Sequence, residues 1–120
     1  AAALNYLGYT WAEMGVLLDE AEILIQRALK IEPNDGFYID SLGWVYYQKG
    51  DYHQAVELLE RAVEITVDDP TIIEHLADAY QRVGKPDRAL ARYREALKKS
   101  KEDEQLKRIR EKMQRLERKI

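Results

Sequence analysis

Small, bulky apolar and polar positions recur along this chain at an interval of about 34 residues. Ala21, Ala55 and Ala89 are spaced by 34, as are Ala28, Ala62 and Ala96. Leu7-Gly8 returns as Leu42-Gly43 and again as Leu76-Ala77. A repeat of this length, built from helix-forming residues, predicts a stack of helical hairpins that bury their apolar faces on one another. Small residues at Gly8, Gly43 and Ala77 on the first helix of each hairpin, and at Ala21, Ala55 and Ala89 on the second, allow close approach. Trp11, Tyr46 and Tyr80 fill the space beside them. The pattern predicts seven helices, over 2–15, 19–31, 36–49, 52–65, 70–83, 86–98 and 101–119. Gly15, Gly50 and Gly84 are placed to end the first helix of each hairpin. Pro86 opens a helix where its missing N–H costs nothing. The first helices of hairpins one and two are 35 residues apart but the second helices are 34 apart. One extra residue is therefore expected in the turn near Val16 to Asp19.

The seventh helix breaks the pattern. Its apolar residues, Leu106, Ile109, Met113, Leu116 and Ile120, form a narrow seam on an otherwise charged segment. Ser100, followed by Asp103, marks a fresh helix start. Two roles are open for this helix. It caps the bare end of the third hairpin, or its seam makes a homodimer contact between copies of the chain.

The marked positions resemble the tetratricopeptide repeat. The first unit reads Leu4, Leu7, Gly8, Trp11, Ala21, Ile25, Ala28, Pro33. The second reads Ile39, Leu42, Gly43, Tyr46, Ala55, Leu59, Ala62, with Val67 where the motif has proline. The third reads Ile73, Leu76, Ala77, Tyr80, Ala89, Tyr93, Ala96 and has no closing proline. The resemblance implies an all-α fold, a right-handed α-solenoid of three helix-turn-helix hairpins with a C-terminal seventh helix. Its units are residues 1–100, as three repeats of about 1–35, 36–69 and 70–100, followed by 101–120. The start at Ala1, directly inside the first repeat, is read as the mark of a fragment of a longer repeat protein, bacterial in texture.

The resemblance also implies a function, the binding of a partner peptide or helix in a groove lined by the first helix of each hairpin. The groove positions carried over are Asn5, Tyr9 and Glu13; Phe37, Asp40, Trp44 and Tyr47; and Glu74, His75 and Asp78. Helical spacing alone puts Asp40, Trp44 and Tyr47 on one face. Trp44 and Tyr9 are expected as apolar anchors. Asp40, Glu74 and Asp78 are expected to select a basic or aromatic-basic protein or peptide. The Lys, Asn and Arg clamp by which co-chaperone repeats hold carboxylate-rich tails is expected to be absent. Its places carry Asn5, Tyr9, Ser41, Thr71 and His75, of which only Asn5 is suited. The competing role is self-assembly through the seventh helix.

Composition narrows the remaining classes. Net charge is −3, but residues 1–97 hold 9 basic and 17 acidic residues while 98–120 hold 10 and 5. An acidic body thus carries a basic tail. The tail lacks aromatics to stack on bases and is interleaved with Glu111 and Glu117, so nucleic acid is not expected as a partner. The chain has no cysteine, and its two histidines, His53 and His75, sit on helices of different type. No metal site, cofactor or catalytic residue is expected, and the chain is read as no enzyme. No apolar run approaches the ~18 residues a membrane span needs, no signal peptide is visible, and the compartment is left open.

Overall fold

The computed structural model describes residues 1–119. Among them it has seven helices: α1 (Ala2–Met14), α2 (Leu18–Ile31), α3 (Gly36–Lys49), α4 (Tyr52–Ile65), α5 (Pro70–Arg82), α6 (Pro86–Lys99) and α7 (Asp103–Lys119). The antiparallel pairs α1/α2, α3/α4 and α5/α6 are the hairpins, and each first helix also packs on the first helix of the next hairpin. The result is an all-α solenoid, with α7 resting on α6.

The crossing points behave as their size demands. All six periodic alanines, from Ala21 to Ala96, are fully buried. At Gly43 an added Cβ would sit 2.8 Å from Leu59 Cγ and 3.0 Å from its Cδ2, so this glycine is required by contact between α3 and α4. Gly36 is held for the same reason at the other end of this hairpin, where a Cβ would overlap the Thr66 side chain. The core along the stack includes Ile25, Ile39, Leu59, Ile72, Ile73 and Leu76, each almost or wholly buried.

Helix ends follow local chemistry. Asp35 caps α3 by accepting from the Phe37 and Tyr38 amides at 2.9 and 3.2 Å, and Asp69 caps α5 from Thr71 and Ile72 at 2.9 and 3.0 Å. Pro70 and Pro86 sit in the first turn of α5 and α6. The expected extra residue lies between α1 and α2, where Leu17 takes up a left-handed conformation with φ 50°. That geometry costs a residue with a Cβ roughly 1 kcal/mol. It lets the longer connection turn back without displacing Ala21 from its buried place.

α7 begins at Asp103, two residues later than expected. Ser100 ends α6 instead, its hydroxyl donating to Gln105 Oε1 at 2.6 Å. Ile109 and Leu116 are buried against the chain's own body, and Leu106 and Met113 are half-buried. The seam expected to serve a homodimer is therefore largely consumed within one chain, as a cap. Its last member, Ile120, lies outside the described residues.

Candidate functional site

Three adjoining hollows run along the face formed by α1, α3, α5 and α7. The first, of about 200 Å³, lies between Asn5, Tyr9, Phe37, Asp40, Ser41 and Thr71. The second, of about 250 Å³, shares Tyr9 and Thr71 with it and continues past Glu13, Trp44, Glu74, His75, Arg108 and Lys112. The third, of about 670 Å³, shares Trp44, Asp78 and Lys112 with the second and reaches Tyr47, Arg82, Arg115 and Lys119. All ten residues placed in the groove from sequence line these hollows. They differ sharply in what they offer a ligand.

Phe37 is 52 % exposed, and Glu13 is exposed as well. Asn5, Tyr9, Trp44 and Tyr47 are half-buried. Trp44 is sandwiched, with ring centres 4.3 Å from Tyr47 and 4.0 Å from His75 in near-parallel stacks. Its role is thus partly structural, tying α3 to α5, with only part of the ring left for a partner. Asn5 Oδ1 is buried and has no hydrogen-bond partner among the described residues. A buried acceptor without a donor is costly, so this amide is a locally unfavourable feature of the first hollow's wall.

The carboxylates expected as charge selectors already have partners. Asp40 is buried and bonds His75 Nδ1 at 2.8 Å. Glu74, almost fully buried, accepts from Arg108 Nε and Nη2 at 2.8 and 2.7 Å, from Lys112 Nζ at 2.7 Å and from Gln105 Nε2 at 3.2 Å. Asp78 accepts from the Tyr93 hydroxyl and from Lys112 at 3.1 Å. The basic partner of this acidic strip is therefore the chain's own α7. Burial alone would raise the pKa of Glu74, but the bonds from Arg108 and Lys112 prevail and hold its carboxyl down at about 2.

Sequence reasoning missed this helix's register. Gln105, Arg108 and Lys112 each stand 34 residues beyond the residue they bind, Thr71, Glu74 and Asp78. α7 thus occupies the place of a fourth first-type helix, and its seam faces α5 and α6 instead of a hairpin partner. The charged residues Lys107, Arg110 and Glu111 stand where Ile73, Leu76 and Ala77 would repeat, and they are exposed. Counting the period onward past residue 100 would have found it.

The Asp40–His75 pair predicts a pH effect. Burial pushes the His75 imidazole down, but Asp40 outweighs it, helped by Asp78 and Glu74, and the net shift is upward from 6.5. Tyr9 and Trp44 face the same ring but carry no charge at neutral pH. A raised pKa stabilises the fold below the unfolded value of about 6.5, and this contribution disappears as pH rises through the folded value. Urea melts between pH 6 and 9 should show the midpoint falling as pH rises. In Asp40→Asn that slope should shrink. An equal slope in both would remove His75 as its source.

Comparison with known proteins fits this architecture. The family model of the tetratricopeptide repeat matches residues 11–108. The TPR repeat-containing protein PA4667 of Pseudomonas aeruginosa is 37 % identical over 78 residues. That match covers 65 % of this chain and only 13 % of the relative. Among solved structures, the type III secretion translocator chaperone SycD of Yersinia enterocolitica superposes with a TM-score of 0.86 at 17 % identity, covering 98 % of this chain and 83 % of that one. PcrH, solved with the chaperone binding region of PopD, gives 0.84 at 19 % identity, covering 98 % and 91 %. Among the described residues no helix is long and apolar enough to cross a membrane. Three stacked hairpins with small residues at their crossing points, and a family match over most of their length, lead to one conclusion: the chain belongs to the tetratricopeptide repeat family.

Proposed function

We propose that this chain is a non-enzymatic interaction scaffold that binds a peptide or helix of a partner protein in its groove. The observation that carries this reading is the run of three adjoining hollows along one face, with the exposed Phe37 ring at one end. Such a groove matches an extended peptide or a helix, with an apolar side chain against the ring. The structural neighbour PcrH holds a segment of PopD, which supports the class of ligand and not its identity. Tyr9 and the open edge of Trp44 extend the apolar surface. Asp40, Glu74 and Asp78 act from within, by fixing His75 and α7, and do not by themselves select a basic ligand. Among the described residues, Glu13 is the one acidic member of the ten groove positions that is exposed and forms no ion pair.

Peptide display on the intact chain should enrich a common motif. Phe37→Ala should weaken the selected peptides about tenfold, the share of one exposed anchor, with an unchanged melting temperature. Equal binding to both proteins would move the site away from this hollow.

A further inference from the structure

We propose that the α7 end of the groove is a clamp for an acidic peptide segment, one carrying two or more carboxylates next to an aromatic residue. This rests on the groove reading above and reverses the charge preference expected from sequence. The third hollow, about 670 Å³, is bounded by the stacked Trp44 and Tyr47 on α3, Arg82 on α5, and Lys112, Arg115 and Lys119 on α7. Among the described residues its lining contains one carboxylate, Asp78, which is already engaged by Tyr93 and Lys112. Among the described residues, Arg82, Arg115 and Lys119 form no ion pair, and all three are exposed.

Arg82 is also held in advance. Its Nε donates to the Tyr47 hydroxyl at 3.2 Å, and its guanidinium carbon lies 5.8 and 5.4 Å from the ring centres of Tyr47 and Tyr52. A cation ordered before the ligand arrives loses less entropy when a carboxylate binds, and its fork presents paired donors. The Trp44 and Tyr47 rings, stacked on each other, leave ring edges beside it against which an aromatic side chain can pack.

The rest of the molecule makes this place selective. Residues 1–97 carry 17 acidic against 9 basic residues. An acidic segment is repelled over most of the body and finds an excess of unpaired cations at the α7 end. The opposite end of the groove, with Phe37, offers an apolar contact. One extended segment along the groove would place its apolar residue there and its carboxylates against Arg82 and α7. Nucleic acid fits less well, because the cations occupy one end only, while Glu13 and Asp69 line the groove farther along.

The test uses fluorescence anisotropy of three labelled probes of equal length. These are a peptide rich in Glu and Asp with one Trp, the same peptide with Lys at every acidic place, and an oligothymidine. Each is titrated with the intact chain, with Arg82→Glu/Arg115→Glu and with Phe37→Ala, after melting curves show that the variants fold. The acidic peptide should bind best, weaken as salt is raised past the point where exposed charges are screened, and lose at least tenfold in the charge-reversal variant. If the Lys peptide or the oligothymidine binds as well as the acidic one, the inference is overturned. If peptides bind, and Phe37→Ala weakens them but charge reversal does not, the clamp is wrong and the groove reading stands. If charge reversal weakens them and Phe37→Ala does not, the clamp stands and the Asn5–Phe37 hollow is wrong. Absence of binding by every peptide overturns both.

Discussion

Gly43→Leu lowers the melting temperature by about 10 °C or more, or leaves no cooperative transition at all. The reason is contact. Even a single Cβ at this site would lie 2.8 Å from Leu59 Cγ, and Leu59 is fully buried with no free space to enter. Leucine adds three further carbons to that overlap, so α3 and α4 have to move apart. Overpacking of a tight core costs about 3 kcal/mol at the upper end of the usual range, a large part of the 5–15 kcal/mol that holds a typical domain together. For a chain of this size each kcal/mol is worth about 4 °C. The central hairpin packs on both of its neighbours, through α2 and α3 on one side and α4 and α5 on the other, so the damage spreads along the stack. Ala91→Leu, at an exposed helical position, is the control and should melt with the parent. Circular dichroism melts decide it; equal melting of Gly43→Leu and the parent would contradict the hairpin packing itself.

The double variant Arg108→Met/Lys112→Met should cost about 3 kcal/mol at pH 7, in the range found when a buried ion loses its partners. Glu74 has only 3 % of its side chain exposed, and without both cations it keeps one neutral donor, Gln105. The pH dependence should change sign as well. In the parent the Glu74 carboxyl is lowered from 4.5 to about 2. Its contribution is therefore complete above 4.5 and is lost as pH falls toward 2. In the double variant burial is no longer opposed by cations, the carboxyl shifts upward, and acidification toward pH 4.5 stabilises the fold. Adding Glu74→Met to the pair should recover most of the loss, because an apolar side chain there requires no counter-charge. Urea titrations of the three proteins at pH 7, 4.5 and 3 give both quantities, with the triple variant as the reference that has no carboxyl at position 74. Parent-like stability of the double variant at pH 7 would show that α7 is held by its apolar seam alone.

Much of the fold was legible because it rests on local and periodic signals. Ala21, Ala55 and Ala89, small and evenly spaced, mark helix crossings whatever surrounds them. Asp35, Asp69, Pro70 and Pro86 mark helix starts through their own backbone chemistry. Six helices began and ended within a residue or so of expectation. The seventh began later, since Ser100 turned its hydroxyl to Gln105 instead of opening the helix. The longer first turn was visible as a count, but the left-handed Leu17 that absorbs it was not.

The groove was legible as a set of positions and not as a set of available groups. Periodicity by itself determined which residues line the face, because a helix repeats its faces at fixed intervals and each hairpin repeats its predecessor. Only the tertiary structure decided which of those residues remain for a partner. His75 takes Asp40, and Arg108 and Lys112 take Glu74 and Asp78. These pairings join helices that are more than 30 residues apart in sequence. They depend on where α7 comes to rest, and that is set by burial of Ile109 and Leu116 against the preceding helices. A charge written in sequence is a property of one side chain, whereas a charge offered to a ligand is what remains after every neighbour in the folded chain has been paired.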